Sequence, residues 1–354
     1  MTNASILGAA DTARPKAVAH ADSKRAATSG FVGTLIEYYD FSLYGYMAVI
    51  IAPLFFPSGD PTVSLLAALA VFGTAYVVRP LGGIVFGHIG DKYGRKTALL
   101  GTLVCMGIGS TLMGLLPTFD QAGYYATALL VLVRLLQGFS AGGEVGGSAT
   151  FISESSPSHL RATFGAFTPM GSTGGFALAA AVAGMVTAFT TPEQMSSWGW
   201  RIPFLLALPL TLLCIWARTR VKETYEGQAV KKESSPIRAL FRFQGKALLQ
   251  STAISAATNG TAYIVLMLNT VATQVSAYTI LPVLFEPQYR YTGVATGWNF
   301  GVIIAGGTAP FVAVKLVQMT ENKQSPAYFV IAAAVIGLIG ILSIRRSQYK
   351  GITY

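Results

Sequence analysis

Gly87-His88-Ile89-Gly90-Asp91-Lys92-Tyr93-Gly94-Arg95-Lys96-Thr97 is a short, glycine-rich, charged stretch between two long apolar runs. Roughly 25 residues before it and roughly 20 after it are almost free of charge, and an apolar run of that length suits a membrane-spanning helix. The stretch is therefore expected to be a hairpin turn at a membrane face, with Lys92, Arg95 and Lys96 as its cations. Asp91 and Arg95 sit four apart, the spacing of neighbours on a helix surface. Gly87, Gly90 and Gly94 let backbones pass closely. A basic loop that only fixes topology carries the same charge pattern, so the residues alone leave both readings open.

Composition sets the class. Hydrophobic residues are 52% of the 354 and charged ones 11%, against about 25% charged in an ordinary soluble domain. Mean hydropathy is +0.53. These values exclude a soluble globule and point to an all-α polytopic membrane protein, with the lipid bilayer as its first partner. The net charge of +10 does not indicate nucleic acid, because the cations cluster in loops between apolar runs and form no polar face. Cys105 and Cys214 lie inside apolar runs and read as small apolar residues, not as a disulfide.

Ten apolar runs can be drawn, at about 30–55, 63–87, 97–116, 123–152, 161–187 and 201–219, two within 246–285, then about 292–317 and 326–344. The stretch 246–285 is too long for one span, since at ~1.5 Å per residue it would reach about 60 Å. A turn is expected near Val265 to Thr270. The expected domains are a disordered cytoplasmic tail (1–29), a six-helix N-terminal bundle (30–219), a cytoplasmic linker (220–245), a shortened bundle of about four helices (246–345) and a second cytoplasmic tail (346–354). Lys and Arg fall on the side of the charged stretch, the linker and both tails, which makes that side cytoplasmic by the positive-inside rule. Trp198 and Trp200 read as interface anchors.

Charges inside a span cost roughly 2.5–3.5 kcal/mol each on insertion and persist where they pair or line a polar cavity. Glu37 and Asp40 are three apart and share a helix face. Two carboxylates that close raise each other's proton affinity, which suits a proton-coupling site; pairing with a cation is the structural alternative. Arg134 lies about ten residues into the fourth run, cannot lose its proton, and needs a carboxylate such as Glu37 or Asp40. Glu144, among Gly142, Gly143, Gly146 and Gly147, is either a lock at a helix crossing or another proton site. Arg79 precedes Pro80 and suits a two-pronged grip on a substrate carboxylate, or a bridge to Glu144 or Asp40. Glu154 suits a surface pair with Arg95 or Arg161. Tyr38 in the aromatic stretch 37–41 suits a binding wall. Asn259, Thr261 and Tyr263 offer hydrogen bonds to a solute or to neighbouring helices.

Several stretches resemble the major facilitator superfamily. The segment at 87–97 looks like its loop between the second and third helices, with Gly87, Asp91, Gly94, Arg95 and Lys96 on the pattern. The resemblance implies that Asp91 is a gating acid and Arg95 a gating cation. Within the superfamily the chain is similar to the metabolite–proton symporter family, which includes transporters of shikimate, α-ketoglutarate, citrate and proline/betaine. The matching stretches are GTLIEYYDFSLYG (33–45), VRPLGGIVFGHIGDKYGRK (78–96), RLLQGFSAGGEVGGSA (134–149), WGWRIPF (198–204), RVKET (220–224) and RYTGVATGWNFGVIIAGGTAP (290–310). RLLQG resembles the fourth-helix motif, which implies proton transfer at Arg134, with Gln137 and Gly138 completing it; Gln137 is also a candidate substrate contact. The stretch at 290–310 resembles the family's eleventh helix although it is the ninth run here, so two helices of the second half are absent by this comparison.

The expectation is a proton-coupled symporter of a small organic acid or zwitterion, monomeric, in a bacterial inner membrane. Glu37, Asp40, Arg134 and Glu144 are its proton-coupling candidates, and Arg79, Tyr38, Gln137 and Asn259 its substrate contacts. No cofactor, metal or nucleic acid is expected. The competing expectation is a truncated remnant of such a transporter that inserts but does not transport. An enzyme is disfavoured, because His20, His88 and His159 sit in the tail or at turns, with no nucleophile–base or metal-ligand spacing.

Overall fold

The computed structural model describes residues 20–221, 240, 242, 244–262, 277, 280–322 and 325–344. The described residues are almost wholly helical. The long helices are α1 (His20–Phe55), α2 (Pro61–Tyr93), α3 (Arg95–Leu115), α4 (Tyr124–Glu154), α5 (Phe167–Phe189), α6 (Arg201–Thr219), α7 (Gly245–Ala262), α8 (Arg290–Gly301), α9 (Ala309–Thr320) and α10 (Pro326–Leu342). A π-helical stretch, Val302–Gly307, runs between α8 and α9. The start of α2 follows ordinary capping chemistry. Before α2, the Asp60 carboxylate accepts from the Thr62 N–H at 2.8 Å and Pro61 fills the first turn.

Among the described residues, α2, α3, α4, α6 and the helical stretch ending in α5 are long and apolar enough to cross a membrane. The 36-residue α1 is also long enough, at ~1.5 Å per residue. Among the described residues, large apolar side chains are exposed along these helices, and charged side chains are buried beside the apolar core. On α4, Leu129 and Leu132 are exposed, while Arg134, Gln137, Ser140, Glu144 and Ser148 are buried. Their three- and four-residue spacing puts them on one face. That is the inverse of a soluble helix and the arrangement a bilayer requires.

Helix pairs approach through small residues. α1 packs on α5, α2 and α3 on α4, and α3 on α6; α8 then packs across α2 and α4 and joins them to α7, on which α10 packs. At the α2–α4 crossing, a methyl added to Gly138 would meet the Ala75 carbonyl oxygen at 2.0 Å, and one added to Gly142 would meet that of Arg79 at 2.0 Å. These backbones touch because no side chain separates them.

Four expectations need correction. The stretch 87–97 is not an open hairpin loop: α2 continues through Tyr93 and α3 starts at Arg95, so Gly94 alone makes the break. Its φ of 107° lies in the left-handed region that glycine reaches without strain. Helix α1 begins at His20, ten residues inside the expected tail. Trp200 is fully buried, edge-on to Phe55 at 5.5 Å, whereas Trp198 is half exposed. His88 lies inside α2. The expected turn near Val265 to Thr270, most of the 220–245 linker and both tails' outer residues lie outside the described residues.

Candidate functional site

A row of buried charge runs through the N-terminal helices. Glu37 on α1 accepts from Arg79 on α2, Oε1 to Nη2, at 2.9 Å, and both side chains are almost wholly out of solvent. The guanidinium carbon of Arg79 lies 4.2 Å from the centre of the Phe41 ring and 4.9 Å from that of Tyr76. These faces supply the ring-quadrupole attraction that a desolvated cation gains from aromatics. Glu37 therefore meets Arg79, where the sequence pattern had suggested Arg134 for Glu37 and Glu144 or Asp40 for Arg79.

Asp40, one turn along α1, takes part in a separate network. Its Oδ1 accepts from Ser110 Oγ of α3 at 2.5 Å and from Gln137 Nε2 of α4 at 2.9 Å. Arg134 Nη1 in turn donates to Gln137 Oε1 at 2.9 Å. Arg134 thus reaches Asp40 through an amide, not by the direct pair expected. Its guanidinium also lies among Tyr44, Phe41 and Phe72, at 4.3, 4.9 and 5.6 Å from their ring centres. Arg134 Nε and Nη2, Asp40 Oδ2 and Glu37 Oε2 are buried without a hydrogen-bond partner among the described residues. Unsatisfied charged groups of this kind are rare in structural pairs and frequent where a proton or ligand passes.

Glu144 is saturated. Arg218, in the last turn of α6, holds it with two parallel bonds, Nη2 to Oε1 at 2.8 Å and Nη1 to Oε2 at 3.0 Å. Thr102 donates to Oε2 at 2.6 Å and Ser148 to Oε1 at 2.9 Å. Arg218 also donates to Ser29 Oγ at 3.1 Å and to the carbonyls of Ser29 and Leu99 at 3.0 Å each. One carboxylate so ties α1, α3, α4 and α6 together, which is the chemistry of the lock reading. Sequence reasoning missed Arg218, Ser29, Thr102 and Ser110. A buried Glu144 demands a cation, and Arg218 at the polar border of the sixth run was one left unassigned.

The 87–97 segment forms a closed contact with the C-terminal helices. Asp91 pairs with Arg95, and Arg95 Nε donates to Glu154 at 3.1 Å. The second Asp91 oxygen accepts the backbone N–H of Thr292 at 3.1 Å and its hydroxyl, at the start of α8. Arg95 also donates to the Pro287 carbonyl at 3.4 Å, and Arg290 comes within 3.7 Å of Glu154. Tyr291 donates to the Gly143 carbonyl at 3.0 Å. Gly87 and Gly90 lie directly under Thr292 and Tyr291. Lys96 points elsewhere and donates to the Thr219 carbonyl at the end of α6, at 2.7 Å.

About 18 Å along α2 from Asp91, at ~1.5 Å per residue, Arg79 borders a cavity of about 310 Å³. Tyr38, Phe41, Phe72, Tyr76 and Phe176 form its wall, Val302 of the C-terminal half closes one side, and the exposed Gly45 and Tyr46 flank its open side. An aromatic-walled cavity with one cation suits a small solute bearing a carboxylate. Of the expected substrate contacts, Arg79 and Tyr38 line it. Gln137 is committed to Arg134 and Asp40, and the side chains of Asn259 and Thr261, with all of Tyr263, fall outside the described residues.

Residues 26–263 match the sugar (and other) transporter family. A glycine betaine/proline/ectoine/pipecolic acid transporter of Dickeya dadantii is 30% identical over 422 aligned residues, covering 92% of this chain and 84% of that one. The shikimate transporter of Escherichia coli is 31% identical over 418, covering 92% and 95%. Both alignments are longer than the whole 354-residue chain. The excess is enough for two spans of roughly 20 residues each with their turn. A proton:xylose symporter, solved bound to 6-bromo-6-deoxy-D-glucose, shares the fold with a TM-score of 0.63 at 12% identity, covering 91% of this chain and 95% of that one. These relatives are transporters, not enzymes. The chain belongs to the sugar (and other) transporter family, is similar to transporters of small metabolites, and has the fold of the major facilitator superfamily, as a multi-pass membrane protein with a six-helix N-terminal bundle and a shortened C-terminal one.

Proposed function

We propose that this chain is a proton-coupled symporter of a small organic acid or zwitterion, a monomer of the bacterial inner membrane with both termini cytoplasmic. The observation that carries this is Arg79: a buried cation at the edge of an aromatic-walled cavity, beside Glu37 and Asp40, each of which keeps one buried oxygen without a hydrogen-bond partner among the described residues. The proline/betaine and shikimate transporters among its relatives carry solutes with a carboxylate, which support the same solute class. Transport then follows from rocking one half on the other about the cavity. Asp91, Arg95 and Glu154 hold the cytoplasmic side shut in the state described, and Glu37, Asp40 and Arg134 handle the proton. Glu144 holds the N-terminal helices together.

A remnant that inserts but does not alternate is not favoured, because relatives that align over about nine-tenths of this chain are transporters, and the polar contacts of α8 with α2 and α4 support a gate between two halves. The test is uptake into proteoliposomes. With an inward proton gradient, glycine betaine, L-proline or shikimate is expected to accumulate. Uptake indifferent to the gradient removes the coupling, and no uptake of any organic acid or zwitterion removes the transporter.

A further inference from the structure

We propose that Glu37 is the proton-loading group, and that it works by giving up Arg79 to the carboxylate of the solute. This rests on the transport reading above and assigns that site its coupling step. The geometry has three parts. Arg79 borders the cavity and Glu37 does not, so a solute reaches the guanidinium and not the acid. Glu37 holds Arg79 through one oxygen, Oε1 at 2.9 Å, while Oε2 has no hydrogen-bond partner among the described residues. Phe41 and Tyr76 lie near the guanidinium, at 4.2 and 4.9 Å from their ring centres to its carbon. A carboxylate arriving from the cavity therefore comes in at its edge, where the N–H donors lie.

The charges around Glu37 favour exchange over sharing. Asp40 on the same helix is held by Ser110 and Gln137. From α4 come Arg134, engaged with Gln137, and Glu144, whose charge Arg218 of α6 closes. α5 carries no ionisable side chain between Phe167 and Phe189. Arg79 of α2 is the one cation directly on Glu37 among the described residues. If a solute carboxylate takes Arg79 while Glu37 stays ionised, two anions share one buried cation. If Glu37 takes a proton, the site keeps its net charge and the new pair replaces the old one. Solute binding then carries in one proton, and loss of that proton drives Glu37 back onto Arg79 and expels the solute. No bond other than O–H forms or breaks.

The experiment is titration calorimetry of the full chain in nanodiscs with glycine betaine, L-proline and shikimate, in two buffers of different ionisation enthalpy. Wild type is expected to take up close to one proton per solute bound, with affinity falling by up to about tenfold per pH unit above the titration of Glu37. Glu37→Gln is expected to bind with no proton uptake and no pH dependence. In liposomes it should exchange solute for solute and not accumulate it against a pH gradient. Proton uptake that persists in Glu37→Gln and vanishes in Asp40→Asn overturns the proposal and leaves the transport reading standing. If Glu37→Gln does not fold, the wild-type stoichiometry decides, and binding without proton uptake overturns it. No binding of any of the three solutes by wild type overturns both readings.

Discussion

At the scale of single residues, the question is which buried charges are fasteners and which are free to change partner. Glu144 has four donors on its two oxygens, and Arg218 spans four helices around it. Removing one partner of such a pair strands the other, at a cost of about 3–5 kcal/mol, whereas replacing both by apolar groups of similar volume can be close to neutral. Glu144→Ala is therefore expected to lower the melting temperature in detergent sharply, and Glu144→Met with Arg218→Met to recover much of the loss. Scanning fluorimetry of the three proteins checks this; equal loss in the single and double variants would deny the fastener role. The presence of these charges was readable from the chain, because any ionisable group in an apolar run stands out. Their partners were not. Arg134 reaches Asp40 only through Gln137, and Glu37 faces Arg79, because helix rotation and register across α1, α2 and α4 decide contacts that spacing along one helix cannot.

Helices are held in that register by contacts that leave no room. Gly138 and Gly142 put the α4 backbone on the carbonyls of Ala75 and Arg79 in α2. Gly138→Val inserts a branched side chain where the backbones touch, and overpacking of this kind costs about 1–3 kcal/mol. Arg79 would shift away from Glu37 as α2 moves. The expected result is a less stable protein that also binds solute more weakly. Gly184→Ala on α5 faces open space and is expected to leave both unchanged. Melting temperature and solute affinity, measured on each variant, separate the two cases. At this scale the sequence was most informative, since the sixth span is found at the residues expected, 201–219. It was least informative at 87–97. Charge and glycine looked like a loop there, but helical hydrogen bonding continues to Tyr93, and the break needs only the one left-handed glycine.

For the whole molecule, the proposed transport cycle turns on the free-energy difference between the two ends being shut. In the state described, the Asp91 end is closed by contacts made by few residues. The Asp91 carboxylate takes both the N–H and the hydroxyl of Thr292 while pairing with Arg95, and Arg95 holds Glu154. Hydrogen bonds to a charged group contribute about 1.5–3 kcal/mol each. Asp91→Asn keeps the shape but removes the charge that makes them strong. A loss of about 2 kcal/mol shifts a two-state equilibrium roughly thirtyfold toward opening at this end. Lys92 and Glu286 are exposed on opposite sides of the contact, so spin labels at Lys92→Cys and Glu286→Cys, with Cys105 and Cys214 replaced by serine, report the separation directly. Pulsed dipolar spectroscopy is expected to give one short distance in the otherwise wild-type background and a second, longer population in Asp91→Asn. Solute at saturating concentration should redistribute the wild-type distances if Arg79 and the gate belong to one rocking unit. A distribution that ignores both solute and Asp91→Asn would mean that the two halves, with the second shortened, are fixed to each other and that the gate contacts are only structural.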